Sequence, residues 1–210
     1  MTKVCVLGAT GRTGLAFLER ATIAGLHLRT VVRNPDRLGR FQQCEVVESV
    51  KADVRDPQSL VKALSGVDAV VSLLGPNGIN PHGLYTQAYS SITQAMRSAG
   101  VERLIALTSS GHENDPNFPL FFRWFLKPLV LKKLYSDMAE AETVIEGTSL
   151  AWTIVRPSMF VAHQPGRAYR INDRVNPAGG WKISREDIAD FVLSELLHPQ
   201  WVRRYPAAAY

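Results

Sequence analysis

The fold is decided by the stretch Val4-Cys5-Val6-Leu7-Gly8-Ala9-Thr10-Gly11-Arg12-Thr13-Gly14, an apolar run that ends in a Gly-x-x-Gly-x-x-Gly loop. The residues that follow, 15–21, have the composition of a helix. A buried strand that turns through glycines into a helix is typical of phosphate-binding sites, because glycines allow a tight turn and let the backbone approach a pyrophosphate. The alternative is a tight turn without a ligand. The loop is predicted to bind a dinucleotide through Gly8, Thr10, Gly11, Arg12, Thr13 and Gly14.

Strand-like and helix-like segments alternate along the rest of the chain. Apolar runs typical of strands occur at 28–33, 44–50, 68–75, 104–110 and 150–157. Helical patterns occur at 57–64, 85–99, 137–146 and 185–197. Continuous apolar strands that alternate with helices indicate an α/β fold with a doubly wound parallel sheet, the Rossmann type. The 210 residues fit a single domain, 1–210.

Composition narrows the classes of function. Hydrophobic residues make up 46% and charged residues 20%, as in ordinary globular proteins. No apolar run reaches the roughly 18 residues that a membrane span needs, and Met1 leads directly into the first strand, so neither a span nor a secretory leader is expected. The two cysteines, Cys5 and Cys44, lack metal or CxxC spacing and are interpreted as structural thiols of a reducing, cytoplasmic compartment.

The net charge of +5 favours anionic ligands. The basic residues are dispersed and no nucleic-acid-binding motif accompanies them, so no nucleic-acid partner and no bound metal are expected. A phosphorylated cofactor is the simpler explanation.

The choice of dinucleotide is predicted from Arg33, which ends the second strand about 20 residues after Gly14. Folds that bind NAD usually carry an acid there, which accepts a hydrogen bond from the ribose 2′-hydroxyl. A guanidinium suits a phosphate instead; Arg37 follows one helical turn further on, and Arg12 lies in the glycine loop. These residues predict NADPH; the alternative is that Arg33 is a solvated strand-end charge.

The ends of the later strands supply further candidates, because ligands of such sheets bind beyond the carboxyl ends of the strands. Asp53 and Val54 follow the third strand and suit an adenine. After the fourth strand, Leu74 and Gly75 let the chain pass close to a ribose. The nicotinamide is expected between the ends of the fifth and sixth strands, beside Ser109, Pro157, Ser158 and Met159.

Together these motifs resemble the atypical, NmrA-like short-chain dehydrogenases/reductases. The match runs from the glycine loop through Val31-Val32-Arg33, Asp53-Val54, Leu73-Leu74-Gly75 and Thr108-Ser109-Ser110 to the sixth strand and the last helix. Gln164-Pro165 extends the similarity toward the NADPH-dependent flavin reductase and biliverdin-IXβ reductase group. The resemblance implies NADPH binding, one Rossmann domain, and hydride transfer to a flavin, bilin or quinone-like acceptor. We further expect an acceptor-site portion at about 157–210 and a monomer rather than an oligomer.

The resemblance also supplies catalytic candidates and shows departures. Ser109 and Tyr135 stand at the serine and tyrosine positions of short-chain dehydrogenases, but Ala139 replaces the lysine that would activate the tyrosine. Ser158 stands where the reductase group has a histidine. The catalytic candidates are therefore Ser109, Tyr135 and Ser158. An NADPH-dependent reductase is expected first, a non-catalytic NADP(H)-binding regulator or assembly factor second, and an epimerase or dehydratase, which would need the lysine, third.

Two features lie outside this pattern. The aromatic segment 118–135 is interpreted either as a lid or membrane- or partner-facing surface, or as a pair of core helices whose charges reach out to water. The histidines His112 and His163 are interpreted as surface residues; the alternative is that they reach the site from loops.

Overall fold

Strands and helices alternate along the computed structural model, which describes residues 2–76, 78–163 and 167–210. The strands are β1 (Lys3–Leu7), β2 (His27–Val32), β3 (Val47–Lys51), β4 (Ala69–Ser72), β5 (Arg103–Leu107), β6 (Ala151–Pro157), β7 (Met159–Val161), β8 (Arg170–Asp173), β9 (Lys182–Ser184) and β10 (Pro206–Ala209). The α-helices are α1 (Arg12–Ile23), α2 (Pro57–Leu64), α3 (Leu84–Ala99), α4 (Lys132–Glu146) and α5 (Arg185–Leu197). Met1 and the Gln164-Pro165 pair of the sequence motif lie outside the described residues.

Eight of the strands form one sheet in the order β3-β2-β1-β4-β5-β6-β10-β8. Every pairing in it is parallel except that of β10 with β8. The first six strands therefore follow the Rossmann order, which reverses direction between β1 and β4. The predicted α/β fold with a doubly wound, mostly parallel sheet in one domain is confirmed.

Both faces of the sheet are covered, which explains why its strands are apolar on both sides. Helices α1 and α5 pack together on one face, around Phe17 and Ile188. Helices α2, α3 and α4 cover the other face, around Tyr89 and Ile145. In β1, Val4–Leu7 side chains are completely buried between these two cores.

Several predicted boundaries are wrong for identifiable reasons. The third strand begins at Val47, because Val47 N–H bonds Cys44 C=O in a turn. The fifth ends at Leu107, since the Ser109 side chain caps a 3₁₀ turn at Ser110–His112. Helix α4 begins five residues before Asp137, whose carboxylate does not cap α4 but accepts hydrogen bonds from the first turn of α3.

The edge of the sheet contains elements that the sequence did not predict. Strand β10 inserts between β6 and β8, and its alanines are fully buried. Strands β7 and β9 form a separate two-stranded parallel sheet just beyond the end of β6. These elements surround Pro157 and Ser158 and so form one wall of the site described below.

A π-helix, Phe122–Val130, precedes α4, and it contains no buried residue. The interpretation of segment 118–135 as a pair of core helices is therefore wrong. Among the described residues, none of the helices is long and apolar enough to cross a membrane.

Candidate functional site

A cleft of about 770 Å³ lies at the carboxyl ends of the parallel strands, where the strand order reverses. This is the position at which open α/β sheets bind ligands, and the volume is within the usual range of ligand sites. The predicted site residues that line it are Gly8, Thr10, Gly11, Arg12, Thr13, Arg33, Arg37, Asp53, Val54, Leu74, Gly75, Ser109, Tyr135, Pro157, Ser158 and Met159. Gly14 does not line the cleft but packs behind the loop.

The glycines of the loop are required for different steric reasons. Gly8 has a φ of +76°, and a Cβ there would lie 2.5 Å from the Leu73 carbonyl oxygen. A Cβ on Gly14 would lie 2.3 Å from the Gly8 oxygen. A Cβ on Gly11 would come only within 3.2 Å of that same oxygen. Gly8 and Gly14 are thus required by packing, whereas Gly11 keeps the mouth of the cleft open to a ligand.

The N-terminus of α1 opens into this cleft without a cap from its own chain. Its N-cap is Gly11, no side chain accepts a hydrogen bond from its first turn, and that turn contains no acid. Uncapped helix N–H groups and the positive end of the helix dipole suit a phosphate. The loop and helix therefore fit the pyrophosphate of a dinucleotide.

Five arginines give the cleft its charge. Arg12, Arg33 and Arg37 are exposed and, within the described part of the chain, form no ion pair, whereas the nearby Arg40 binds Glu19. The other two are Arg55 and Arg185, which the sequence reasoning missed although Arg185 begins a helix with a recognisable cap. Burial, and then the charge of Arg12, lower the pKa of Arg185. This cluster of cations fits an anionic ligand.

At the other end of the cleft, Ser109 and Tyr135 stand side by side. Burial raises the pKa of Tyr135, and a hydrogen bond with Ser109 only partly opposes that rise. The phenol approaches so closely that a Cβ on Gly111 would lie 2.3 Å from its oxygen. Ala139 is exposed on α4. The tyrosine is therefore a neutral hydrogen-bond donor at physiological pH, held against the Ser109 loop.

The third catalytic candidate, Ser158, already has a backbone partner. Its side chain is almost completely buried, and its Oγ donates to the Ala208 carbonyl oxygen at 3.1 Å. The neighbouring Met159 is 44% exposed and lines the cleft. The structure thus gives Ser158 a role in joining β6 to β10, with Met159 as the adjacent apolar wall.

A buried ionic cluster lies behind the Ser109 loop. Thr108 lines the cleft and its hydroxyl donates to Glu142 Oε1 at 2.6 Å. The same oxygen contacts His112 Nε2 at 2.9 Å and accepts from Arg156 Nε at 3.1 Å. The interpretation of His112 as a surface residue is wrong, because its side chain is only 8% exposed.

The charge state of this cluster follows from its contacts. Burial opposes ionisation of Glu142, but hydrogen bonds from His112 and Arg156 outweigh it and hold the pKa of the carboxyl below its ordinary value. Arg156 also binds Glu113 at 2.8 Å. Sequence reasoning missed the cluster because its members are far apart along the chain and no local pattern joins them.

The remaining histidine candidate, His163, lies outside the cleft. Its Nδ1 lies 3.1 Å from Ser184 Oγ, at the N-cap of α5. Within residues 2–76, 78–163 and 167–210, no group of three or more His, Cys, Asp or Glu side chains has the arrangement of a metal site.

The sequence matches the profile of the NAD(P)H-binding family over residues 8–199. The chain belongs to the NAD(P)H-binding family. The matched range contains the glycine loop and every lining residue named above. The predicted NAD(P)-binding Rossmann family is confirmed.

Several known proteins and solved structures are similar to this chain. The chain is 30% identical to the oxidoreductase stcQ of Emericella nidulans, over 81% of this chain and 69% of that protein. It is 26% identical to an NAD(P)H azoreductase of Xenophilus azovorans, over 93% of this chain but only 64% of that protein. A Veillonella parvula short-chain dehydrogenase/reductase solved in complex with NADP superposes with a TM-score of 0.84 at 16% identity, covering 100% and 94% of the two chains.

Proposed function

We propose that this protein is an NADPH-dependent reductase that transfers a hydride to a flat conjugated acceptor such as a flavin, bilin or quinone. The main observation behind this proposal is the composition of the cleft. Arginines without an ion pair in the described chain line one end, and the Ser109–Tyr135 pair lines the other. A guanidinium cluster suits the additional 2′-phosphate of NADPH. The loop, the uncapped helix and Arg33 would hold the cofactor, which supplies a hydride when bound.

The relatives support this class of chemistry without identifying the acceptor. One curated relative is an NAD(P)H azoreductase, and azo dyes are flat and conjugated. A Streptococcus pneumoniae protein assigned as an NADH-flavin reductase has the same fold, with a TM-score of 0.76 at 21% identity, covering 100% of this chain and 99% of that one. Both names belong to those proteins, and the present chain spans less than two thirds of the azoreductase.

The residues at the acceptor end favour positioning over strong acid catalysis. Carbonyl reduction needs an acid close to the developing alkoxide, and Ala139 leaves Tyr135 without an ammonium to lower its pKa. Reduction of a conjugated ring spreads the new charge over the ring, so proximity supplies much of the rate. The Ser109 hydroxyl accepts a hydrogen bond from Gly111 N–H at 3.2 Å and donates to the Pro157 oxygen over a long 3.4 Å, so its proton is weakly held and the hydroxyl would pass a proton from water to the reduced acceptor.

The proposal is tested by steady-state oxidation of NADPH with a panel of flavins, quinones, azo dyes and biliverdin. We expect turnover with at least one acceptor and a lower kcat/KM when NADH replaces NADPH. Binding of NADPH without turnover with any acceptor would overturn the proposal of a reductase.

One observation favours a second candidate, a non-catalytic NADP(H)-binding regulator or assembly factor. The position of the activating lysine is the exposed Ala139, so the usual catalytic tetrad is incomplete. A regulator would bind NADPH and NADP⁺ with different affinities and change its binding to a partner accordingly. Calorimetry that compares the dissociation constants of NADPH and NADP⁺ distinguishes this role. A regulator requires a large difference between the two constants, whereas a reductase that only exchanges its cofactor does not.

We also propose a cytoplasmic location and a monomeric state. Cys5 and Cys44 are both free, and burial raises the pKa of the Cys5 thiol to about 12, which keeps it protonated and unreactive. Free thiols suit a reducing compartment. Analytical ultracentrifugation at micromolar protein concentration tests the monomeric state, and we expect the mass of a single chain.

A further inference from the structure

Most of the exposed large hydrophobic side chains of the described chain lie on the segment before α4. Among the described residues, eleven large hydrophobic side chains are strongly exposed, and five of these are scattered. The other six form what we call the aromatic face: Leu120, Phe121, Trp124, Phe125, Leu129 and Val130. Trp124 is 69% exposed and Leu129 is 76% exposed. Such a concentration of exposed apolar side chains marks an interaction surface.

The aromatic face is held outward by contacts on the inner side of the same helix. Phe118 is buried and stacks on Phe122 with ring centroids 4.4 Å apart. Lys127 Nζ points inward and donates to the carbonyl oxygens of His112 at 2.8 Å and Glu113 at 2.6 Å. The segment therefore has an inner anchored side and an outer side that stays exposed among the residues that the structure describes.

The charge around the aromatic face has one sign. Residues 116–136 contain four cations, Arg123, Lys127, Lys132 and Lys133, and no acid. Lys132 and Lys133 are exposed and begin α4, directly after the segment that carries the aromatic face. Within the aromatic face itself, Phe121 stacks on Phe125 with ring centroids 5.8 Å apart.

We propose that the aromatic face docks on the surface of an anionic phospholipid bilayer. Helices that lie in the membrane interface combine Trp, Phe and Leu with lysines that contact anionic headgroups. Lys132 and Lys133 supply these lysines at one end of the aromatic face. A second copy of this chain is a poorer occupant, because each copy would bring an excess of lysines and no acid to the contact. This inference does not depend on the proposed reductase activity.

The aromatic face is connected to the cleft through the same segment of the chain. The segment continues directly into Leu134 and Tyr135, which line the cleft, and Lys127 fixes it to the loop that begins at Ser109. A bilayer at the aromatic face would therefore lie beside the acceptor end of the site.

The test is co-sedimentation of the full-length protein with vesicles of phosphatidylcholine alone or mixed with phosphatidylglycerol. We expect binding to the mixed vesicles, weakened by salt, and little binding to the neutral ones. The double variant Lys132→Gln/Lys133→Gln should lower the partition coefficient about fivefold per lysine. Trp124→Ser should abolish binding, and the tryptophan emission of the unmodified protein should shift to the blue on docking. Ile23→Ser, at an exposed residue of α1, is the matched control and should bind normally.

Three results would overturn this inference. The first is no binding of the unmodified protein to anionic vesicles. The second is binding that Trp124→Ser and Ile23→Ser reduce equally. The third is a dimer at micromolar concentration that Trp124→Ser converts to a monomer, which would assign the face to a second copy. Calorimetric NADPH binding by each variant checks that it is folded, because none of these residues lines the cleft.

Discussion

Gly11 and Gly14 belong to the same loop but are constrained by different neighbours. Gly14 faces backbone atoms that cannot move aside, and Gly11 faces the cleft. A substitution at one should therefore affect folding, and a substitution at the other should affect ligand binding.

We expect Gly11→Val to give a folded protein that no longer binds NADP(H), because the branched side chain occupies the place where the pyrophosphate meets the backbone. Gly14→Ala should destabilise the protein by roughly 3 kcal/mol, because its Cβ would lie 2.3 Å from the Gly8 oxygen. Thermal unfolding and calorimetric titration of both variants separate the two effects. Retained NADPH affinity in folded Gly11→Val would place the dinucleotide elsewhere.

Arg33 is expected to set the preference between the two dinucleotides. Losing a charge-assisted hydrogen bond costs about 1.5–3 kcal/mol, so Arg33→Ala should weaken NADPH binding about ten- to hundredfold and leave NADH nearly unchanged. Calorimetry with both cofactors measures this, and Arg97→Ala, an exposed arginine in the last turn of α3, is the control. Equal affinity of the unmodified protein for NADPH and NADH would contradict the role of Arg33.

The two hydroxyls at the acceptor end should differ in importance. Ser109→Ala should lower kcat moderately, by the equivalent of one lost polar contact of about 0.5–1.5 kcal/mol. Tyr135→Phe should change little, because burial keeps the phenol neutral and no lysine activates it. Steady-state flavin reduction compares the variants. If Tyr135→Phe abolishes turnover and Ser109→Ala does not, the tyrosine is the acid and the proximity mechanism fails.

Between elements, the buried pair of Glu142 and Arg156 joins α4 to β6 beneath the site. Both side chains are at most 3% exposed, and Arg156 also stacks over the Tyr205 ring at 4.2 Å. Removing one partner of a buried pair leaves an uncompensated charge, which costs about 3–5 kcal/mol. The pair therefore fixes the loop that carries Thr108, Ser109 and His112.

We expect Glu142→Gln to lower the free energy of unfolding by about 3–5 kcal/mol at neutral pH. The pKa of Glu142 is lowered in the folded state, so its contribution to stability is present above the ordinary carboxyl pKa and is lost as the pH falls through the folded value. The difference between variant and unmodified protein should shrink accordingly in acid. Denaturant unfolding at several pH values measures it, with Glu140→Gln, exposed on α4, as the control. A difference independent of pH would contradict the ionised state of Glu142.

Over the whole molecule, the sequence predicted the elements whose signals are local. The parallel strands β1, β2, β4, β5 and β6 are apolar runs, and the cap of α5 by Ser184 is a short motif. Strand β8 is Arg-Ile-Asn-Asp and β10 is Pro-Ala-Ala-Ala, and neither has a strand pattern. They are strands because they pair with each other, which no local signal reveals.

The cleft was also predictable from local signals. The ends of the apolar runs and the spacing of the glycines indicate which residues lie at the carboxyl edge of the sheet. The cluster of Thr108, His112, Glu142 and Arg156 was not, because tertiary contacts alone bring it together. The apolar content of segment 118–135 fitted a core element as well as a lid or a surface, and only the structure shows that residues 122–130 are not buried.

Deletion of residues 206–210 tests how far the sheet depends on its late strands. Removing β10 leaves β8 without its pairing partner and exposes the edge of β6. We expect the deletion to abolish cooperative unfolding. Circular dichroism measured as a function of denaturant concentration monitors the unfolding. Ala207→Ser, a small change within the same strand, should remain cooperative. A truncated protein that unfolds as sharply as the intact chain would show that the first six strands are sufficient.

The insertion of β10 between β6 and β8 has a consequence for synthesis on the ribosome. The first six strands emerge in an order that lets them pair as they appear, but β6 and β8 must wait for a strand translated after both. At the usual rates of translation this delay is on the order of seconds. Throughout it the nascent chain presents an open, apolar strand edge, a template for pairing with other chains. We therefore expect a partner that shields this edge during synthesis to raise the yield of folded protein.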